Sequence, residues 1–538
     1  MIYTDQPSGQ GSASIPVGEW SSHPKDVERS PKPQNSQKVT GGGTSGNNLE
    51  KLIKIVAKGG FIIFTGSIIG RILRFIFIIL LSRILGASLY GLYSIGQSII
   101  DIVTNISLLG DGRGFIRFAA VFIDNKDAPR LTGMVRGYTF VCSAISLFIA
   151  ASLFLGAEYV SLRFFHNSSL TGVLKIFALS FPFYILSLIV VPIGYAFQRM
   201  EFKVIIQEVA QPLINIVAIT IIFIIGGNLY GAVGGFFVTA FVTAVLGFYL
   251  LKSLYPQVLS SCECIYEIKQ LVTYSLPLVG VFFCYYLLFR LDRILLGIYH
   301  TPFEVGVYSA VSNTAVGILA ISGIFDACLA PALAQLYHSH KKEELKKIYA
   351  CATSWGIALA FIPSVAIIIF NREITWLFGK DFSSAWFVLI IFSIACLIEI
   401  IPGQSRQLFQ MSSHQNLEFA NSIGMIVLNL IFNLTLIPSL GGAGAALAFL
   451  FTIIIISIIR TIQLKAIFGF LPFNSRYLKL LAHITFAIVF SLLTAASINI
   501  LFKLIVATVV LLSFFWQVIS SRSEEDMIIW NSFKSRVA

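Results

Sequence analysis

The sequence predicts an all-α integral membrane protein of about fourteen transmembrane helices, in two homologous six-helix lobes of parallel topology plus two C-terminal helices. Three observations predict it. The 538-residue chain is 56% hydrophobic and 12% charged, against about 25% charged for a soluble domain. Its apolar runs are about 20 residues long, enough for a helix to cross the hydrocarbon core, and lack the alternation of a barrel strand. A set of residues also recurs between the two halves, as set out below.

Taken in chain order, residues 1–48 are rich in Ser, Gly, Pro, Asn and Gln. They carry no apolar run of the signal-peptide kind and read as a disordered cytoplasmic tail. Its "GGGTSGNN" lacks the Lys-Ser/Thr that a phosphate loop needs. In "NLEKLIKIVAKGG", Leu49, Leu52, Ile53 and Val56 share a helical face, with Lys51, Lys54 and Lys58 off it. Such a segment suits either a helix lying on an anionic leaflet or an ordinary charged helix end.

The spans then fall near 59–83, 90–110, 134–155, 173–196, 205–226 and 231–251 in a first lobe, 49–252. A cytoplasmic linker, 253–270, leads to a second lobe, 271–465, with spans near 272–298, 305–328, 350–370, 384–403, 416–437 and 442–464. Two extra spans, 480–498 and 500–520, occupy 466–521, and 522–538 is a second cytoplasmic tail.

The net charge of +12 would suggest nucleic acid in a soluble protein. Here the basic residues sit in short loops, which points to orientation and to no nucleic-acid partner. One side carries Arg113, Arg117, Lys126, Arg130, Arg136, Arg199, Lys203, Lys252, Lys269, Lys341, Lys342, Lys346, Lys347, Arg460, Lys465, Arg476, Lys479 and Arg522. The other has little beyond Arg163, Lys175, Arg372, Lys380 and Lys503. Both termini are therefore expected in the cytoplasm of a multi-pass cell-membrane protein. The seven cysteines are scattered and His is sparse, so no metal site is expected and the thiols read as small apolar fillers.

The repeat is read from two stretches. "LSRILGASLYGLYSIGQ" closes the first span, and "LDRILLGIYHTPFEVGVYSAVSN" closes the seventh. Arg83 matches Arg293, Gly91 matches Gly306, and seventeen residues past each matched serine stand Asp111 and Asp326. Gly231 and Gly234, opening span six, match Gly441 and Gly444, opening span twelve, at the offset that relates Arg83 to Arg293. Six spans per repeat is an even number, so the lobes run parallel rather than inverted.

With two six-helix lobes, two added helices and "RxLGxxxxGxY" at Arg83, Leu85, Gly86, Gly91 and Tyr93, the chain resembles the polysaccharide (O-antigen type) flippases. These belong to the multidrug/oligosaccharidyl-lipid/polysaccharide exporter superfamily. The resemblance covers about residues 50–520; the long polar N-terminal tail departs from it. It implies transport of a lipid-linked glycan from the cytoplasmic to the outer leaflet, with membrane lipids and glycan-assembly proteins as partners and no cofactor.

The residues supply a chemical reason of their own. Arg71 lies about twelve residues into the first span, roughly 17 Å from either end, which is too deep to snorkel comfortably. A central arginine costs about 2.5–3.5 kcal/mol, and Arg74 is one turn on. In the next span Ser94, Gln97, Asp101 and Asn105 form a polar stripe at spacings of three and four. Arg290 and Arg293 lie one turn apart in span seven. Arginine forks suit phosphate, so Arg71, Arg74 and Arg290 are the expected phosphate contacts, and the stripe would meet sugar hydroxyls.

Plainer readings stand beside this one. Arg71 and Arg74 pair with Asp101, Arg290 pairs with Asp292 or Asp326, and Arg83 and Arg293 mark the outer interface. Asp101, Glu208 and Glu399 lie inside spans and suit either proton or cation coupling or plain salt bridges. Asp111 and Asp326 share a structural job such as a latch. Two other functions compete. A drug or metabolite exporter fits a cationic cavity poorly. A glycan polymerase or ligase would want a sizeable outer loop, and the longest expected one, 157–171, shows no acid–base or metal constellation.

Overall fold

The computed structural model describes residues 45–258, 264–319, 341–412, 414–471, 475–495 and 499–520, with isolated positions between 333 and 339. The chain divides into two units, Met1–Ile53 and Lys54–Ala538. Of the first, only helix from Ser45 onward is described. The second holds every membrane-crossing helix among the described residues. Asp326, the first 44 residues and the tail after 520 lie outside the described residues.

The described residues form helices joined by turns and short loops, with no strand among them, and ten of the helices are long and apolar enough to cross a membrane. Two of the ten are pairs joined across a glycine. Gly86 (φ 70°, ψ 174°) separates α1 (65–85) from α2 (87–107). Gly441 (φ 55°, ψ −132°) separates α15 (415–440) from α16 (442–468). Those angles belong to glycine because a Cβ would clash with the backbone. Twelve crossing segments result. The expected fourteen counts α10 (Pro302–Val316) and α17 (Ser475–Ala495) besides these.

The other elements follow the apolar runs and their caps. A short α3 (Arg113–Asp124) precedes α4 (Ala128–Arg163), whose first turn is capped by the Asp127 carboxylate accepting from the Arg130 amide. Then come α5 (Ser169–Ala196), α6 (Glu201–Ile224) and α7 (Leu229–Leu254). Asn228 caps α7 by accepting from the Tyr230 and Gly231 amides. The second half comprises α8 (Ile268–Leu288), α9 (Leu291–Tyr299), α10, α11 (Lys342–Ile369), α12 (Asn371–Phe378), α13 (Trp386–Ile400), α14 (Ser405–Met411), α15, α16, α17 and α18 (Ile500–Ser520).

Three expectations need correction. The basic segment after span two is not a plain loop, because it contains α3. The expected 157–171 loop is mostly helix, leaving only 164–168 between α4 and α5. Span seven is not continuous: its helix stops at Leu288 and restarts at Leu291, with Arg290 (φ −128°, ψ −21°) in the gap.

Helices α4 to α7 pack chiefly on one another, as do α9 to α18, and α8 touches both groups through α3, α4, α15 and α16. Large side chains such as Leu155, Ile225 and Trp516, each at least 75% exposed, form the surface that lipid covers. The side bearing the Lys/Arg-rich loops is called the basic side below, and its opposite the Gly86 side.

On the Gly86 side the groups meet closely. A Cβ on Gly91 would overlap the Pro302 carbonyl, and one on Gly306 would overlap the Ala87 carbonyl. Arg83 donates from Nε to the Leu377 carbonyl at 2.7 Å and stacks on Trp376. On the same side, α18 is held by Lys503, 1% exposed, which pairs with Glu373 of α12 at 2.8 Å.

Candidate functional site

Glycine brings α1 and α6 together. A Cβ on Gly66 would overlap Val204, and one on Gly70 would overlap the Glu208 carboxylate. Helix α6 contains a π-helical stretch, Val204–Ala210. The wider turn carries Glu208, as such bulges often carry functional side chains. Arg74 donates from Nη2 to Glu208 and from Nε to the Gly70 carbonyl at 3.2 Å. Glu208 is buried, whereas Arg74 remains 50% exposed. Arg71, one turn earlier, is exposed and has no carboxylate partner among the described residues.

The partner of Asp101 is therefore neither Arg71 nor Arg74. It is Arg290, whose Nε lies 2.8 Å from Asp101 Oδ2, and Gln97 donates to Oδ1 at 2.8 Å. This also corrects the local reading of Arg290, which bonds across to α2 instead of to Asp292. Arg290 reaches that far because it sits where the helix is broken, a device that lets backbone and side chain line a cavity inside a membrane. The expected polar stripe is only partly accessible. Gln97 and Asp101 are partly exposed, while Ser94 and Asn105 are buried.

A third group of charges lies where α2 ends. Leu109, Gly110, Asp111 and Gly112 all take positive φ (51°, 71°, 56° and 70°), a left-handed turn that L-residues adopt only at a cost. The turn is packed on both sides: Gly110 against Leu278 and Val279, Gly112 against Pro192 and Tyr138. Burial raises the Asp111 carboxyl above its ordinary range, opposed by the nearby charges of Arg113 and Lys203. Burial likewise lowers the Arg113 guanidinium, with Asp111 acting against it. Arg113 stacks over Phe282 at 4.5 Å. Lys203 on α6 is near enough to feel Arg74, Arg71 and Asp111, so the two clusters are neighbours.

The repeat-related residues separate. Arg83 is exposed at the Gly86-side contact. Arg293 is buried and donates to Ser312 Oγ at 3.1 Å and Asn313 Oδ1 at 2.7 Å. Asp292 accepts from Tyr308 Oη and from the Arg293 amide. Arg293 thus differs from Arg83 in setting, because its network closes within α9 and α10.

Two charged residues escaped sequence reasoning. Glu418 on α15 and Arg460 on α16 pair at 2.5 Å, and Glu399 on α13 joins Arg460 at 3.3 Å. A signal existed: the offset relating Gly231 to Gly441 also relates Glu208 to Glu418. Arg460 itself was read only as a loop charge.

Counted together, Arg71, Arg74, Lys203 and Arg113 gather around Glu208 and Asp111. The cluster has more cations than carboxylates, partly open to solvent, within helices that cross a membrane. Such a site attracts anions, and its two α1 guanidiniums offer forks for phosphate oxygens.

Comparison with known proteins agrees with this architecture. A family model described as polysaccharide biosynthesis protein matches residues 56–337, and a second, MatE, matches residues 277–435. Two Haloferax volcanii proteins are similar in part. "Probable low-salt glycan biosynthesis flippase Agl15" is 29% identical over 166 residues, covering 29% of this chain and 34% of that protein. "Probable flippase AglR" is 26% identical over 185 residues, covering 34% and 39%. The matched region thus spans little more than a third of either relative. Among solved structures, a lipid II flippase, MurJ, in an inward closed conformation superposes with a TM-score of 0.65 at 15% identity, over 84% of this chain and 98% of that one. At that identity the likeness is one of fold.

Proposed function

This chain belongs to the polysaccharide biosynthesis protein family, and from that premise we propose that it flips a lipid-linked oligosaccharide across the membrane. The substrate is a glycan on a polyprenyl phosphate or pyrophosphate. It moves from the cytoplasmic to the outer leaflet by alternating access of two six-helix lobes, serving cell-surface polysaccharide or glycoprotein synthesis. The names of the two Haloferax relatives support this reading. The observation that carries it is the state of Arg71: a guanidinium on a membrane-crossing helix, exposed, beside Arg74 and without a carboxylate of its own among the described residues. A cost of about 2.5–3.5 kcal/mol for a central arginine is offset when the arginine's partner arrives with the substrate.

Arg71 and Arg74 hold the phosphate from α1, and Arg290 is the third contact, reached once it leaves Asp101. Gln97 and Asp101 lie beside that path and meet the sugar. The polyprenyl chain stays in lipid. The basic side faces the cytoplasm, as do both termini. The cation excess disfavours the exporter of cationic drugs, and the five residues between α4 and α5, 164–168, leave a polymerase little room for a catalytic loop.

The test is a leaflet-access assay in proteoliposomes with a fluorescent polyprenyl-pyrophosphate disaccharide. Passage to the opposite leaflet with the glycosidic linkage intact is the expected result. New linkages would favour the enzyme, and no passage would overturn the flippase. Reporter fusions after Asn48, at His166 and after Arg522 check the orientation; an external signal from either end would reverse it.

A further inference from the structure

A groove of about 660 Å³ runs along the basic-side half of α8, lined among the described residues by Lys269, Gln270, Thr273, Tyr274, Pro277 and Leu278. These positions recur at spacings of one and four, so they share one helical face. The volume falls in the roughly 300–1,000 Å³ range of ligand sites. The face is graded along its length. Its basic-side end carries Lys269, Gln270 and Thr273, all exposed, and its deeper end carries Pro277 and Leu278, with Tyr274 between. From Lys269 to Leu278 the helix rises about 14 Å, close to the roughly 15 Å of hydrocarbon in one leaflet. A charged end that gives way to an apolar end over that length fits a phospholipid, head first and chain below.

The charge around the groove has one sign. Arg117 of α3 stands at its rim, 4.5 Å over the Tyr274 ring, and Phe118 meets the same ring edge-on at 5.5 Å. Stacking occupies a flat face of the guanidinium and leaves its N–H edges for an anion. Lys269 and Arg117 are both exposed, and neither has a carboxylate partner among the described residues. Glu267, the residue before α8, is taken by Arg130 at 3.3 Å. The first turn of α8 holds no acidic residue and no side chain caps it, so its partly positive end adds to the same field.

The packing explains why this face is open. Gly114 seats α3 against Leu271 and Ser275, on the other side of α8 from Thr273 and Pro277. Leu276, on the flank of the groove, is 65% exposed, as a side chain against lipid is. The lining shares no residue with the cluster around Glu208 and Asp111, and Arg113 of that cluster stacks deeper on α8, over Phe282.

We propose that the groove binds one anionic phospholipid from the leaflet on the basic side. Lys269 and Arg117 hold its phosphate, and one acyl chain lies along Tyr274, Pro277 and Leu278. Such a lipid braces α3 against α8, the first helix of the second half. The site needs only a bilayer and does not rest on the flippase reading.

The experiment is native mass spectrometry of the full chain, titrated with phosphatidylglycerol or with phosphatidylcholine of the same acyl chains. Two basic residues at about fivefold each predict that the first phosphatidylglycerol binds about thirtyfold more tightly than phosphatidylcholine. Lys269→Gln and Arg117→Gln should each lose about fivefold, and the double change should remove the preference. Thr273→Trp, at an exposed position, should block the first site for both lipids by filling the groove. Lys252→Gln removes an exposed basic-side lysine on α7, outside the groove, and should change nothing. A wild type without the preference, a double variant that keeps it, or an equal loss in Lys252→Gln would overturn the site. Displacement of phosphatidylglycerol by an equimolar polyprenyl-pyrophosphate disaccharide would also overturn it, because the groove would then belong to the substrate. Failure to flip in the leaflet-access assay counts against the transporter reading and not against the lipid site.

Discussion

Gly91 of α2 and Gly306 of α10 face each other backbone to backbone: a Cβ on either would stand 3.0 Å from the other's amide nitrogen. The two residues are also equivalent in the sequence repeat, so the position meets its own counterpart at the Gly86-side contact. A near two-fold relationship between the halves would produce such a meeting.

The contact leaves no room for a side chain. Gly91→Val and Gly306→Val should each disfavour the arrangement in which the Gly86 sides touch, at about 1–3 kcal/mol for overpacking. Cysteines at Arg83 and Leu377 would report it by cross-linking. Slower cross-linking in both variants is expected; unchanged rates would mean that the contact is not close in the membrane.

Arg71 and Arg74 should behave differently on truncation. Arg74→Ala strands the buried Glu208 carboxylate and should lower stability by about 1–3 kcal/mol, the cleft water recovering part of the full cost. Adding Glu208→Ala should restore the melting temperature. Arg71→Ala removes no ion pair and should melt like the wild type. Equal destabilisation by both single changes would show that Arg71 has a structural partner.

The pair between Asp101 and Arg290 joins α2 to the break between α8 and α9. Both groups are partly accessible, so a double-mutant cycle with Asp101→Asn and Arg290→Gln should give a coupling of about 1 kcal/mol or less in stability. That weakness is what a substrate phosphate needs in order to draw Arg290 away. A coupling several times larger would make the pair a fixed strut.

Asp111 gives a pH signature. Its folded-state carboxyl is raised by burial, so the folded protein holds this proton where the unfolded chain has lost it. Its contribution to stability is then fully present below the unfolded value and falls as pH rises through the folded one. Asp111→Asn should flatten that decline in thermal melts. A steeper decline in the variant would contradict the assignment.

Much of the fold was legible in the sequence because membrane insertion writes itself in long apolar runs and loop charges. The breaks were less so. Gly86 and Gly441 mark them, but glycine also packs helices, and no pattern in "LLFRLDRILL" announced that Arg290 would stand in a gap. The arginines of α1 were visible as a cost needing compensation. Their partners were not, because pairing depends on which helix lies opposite: Glu208 reaches Arg74 through a π-helical turn, and Asp101 turns to Arg290 across the two groups. Glu418 and Arg460 were missed because a span-end glutamate and a loop-side arginine look ordinary until three helix ends are brought together.

The central claim is that the α1 arginines bind the substrate's phosphate, and binding tests it most directly. Affinity for a polyprenyl-pyrophosphate disaccharide would be measured in nanodiscs for the wild type, Arg71→Lys and Arg71→Ala, with the phosphate-free polyprenyl disaccharide as reference. A lost charged hydrogen bond of about 1.5–3 kcal/mol predicts that Arg71→Ala binds the pyrophosphate about tenfold or more weakly, with Arg71→Lys in between. The phosphate-free lipid should bind all three alike. Equal pyrophosphate affinity in wild type and Arg71→Ala, both folded, would contradict the account.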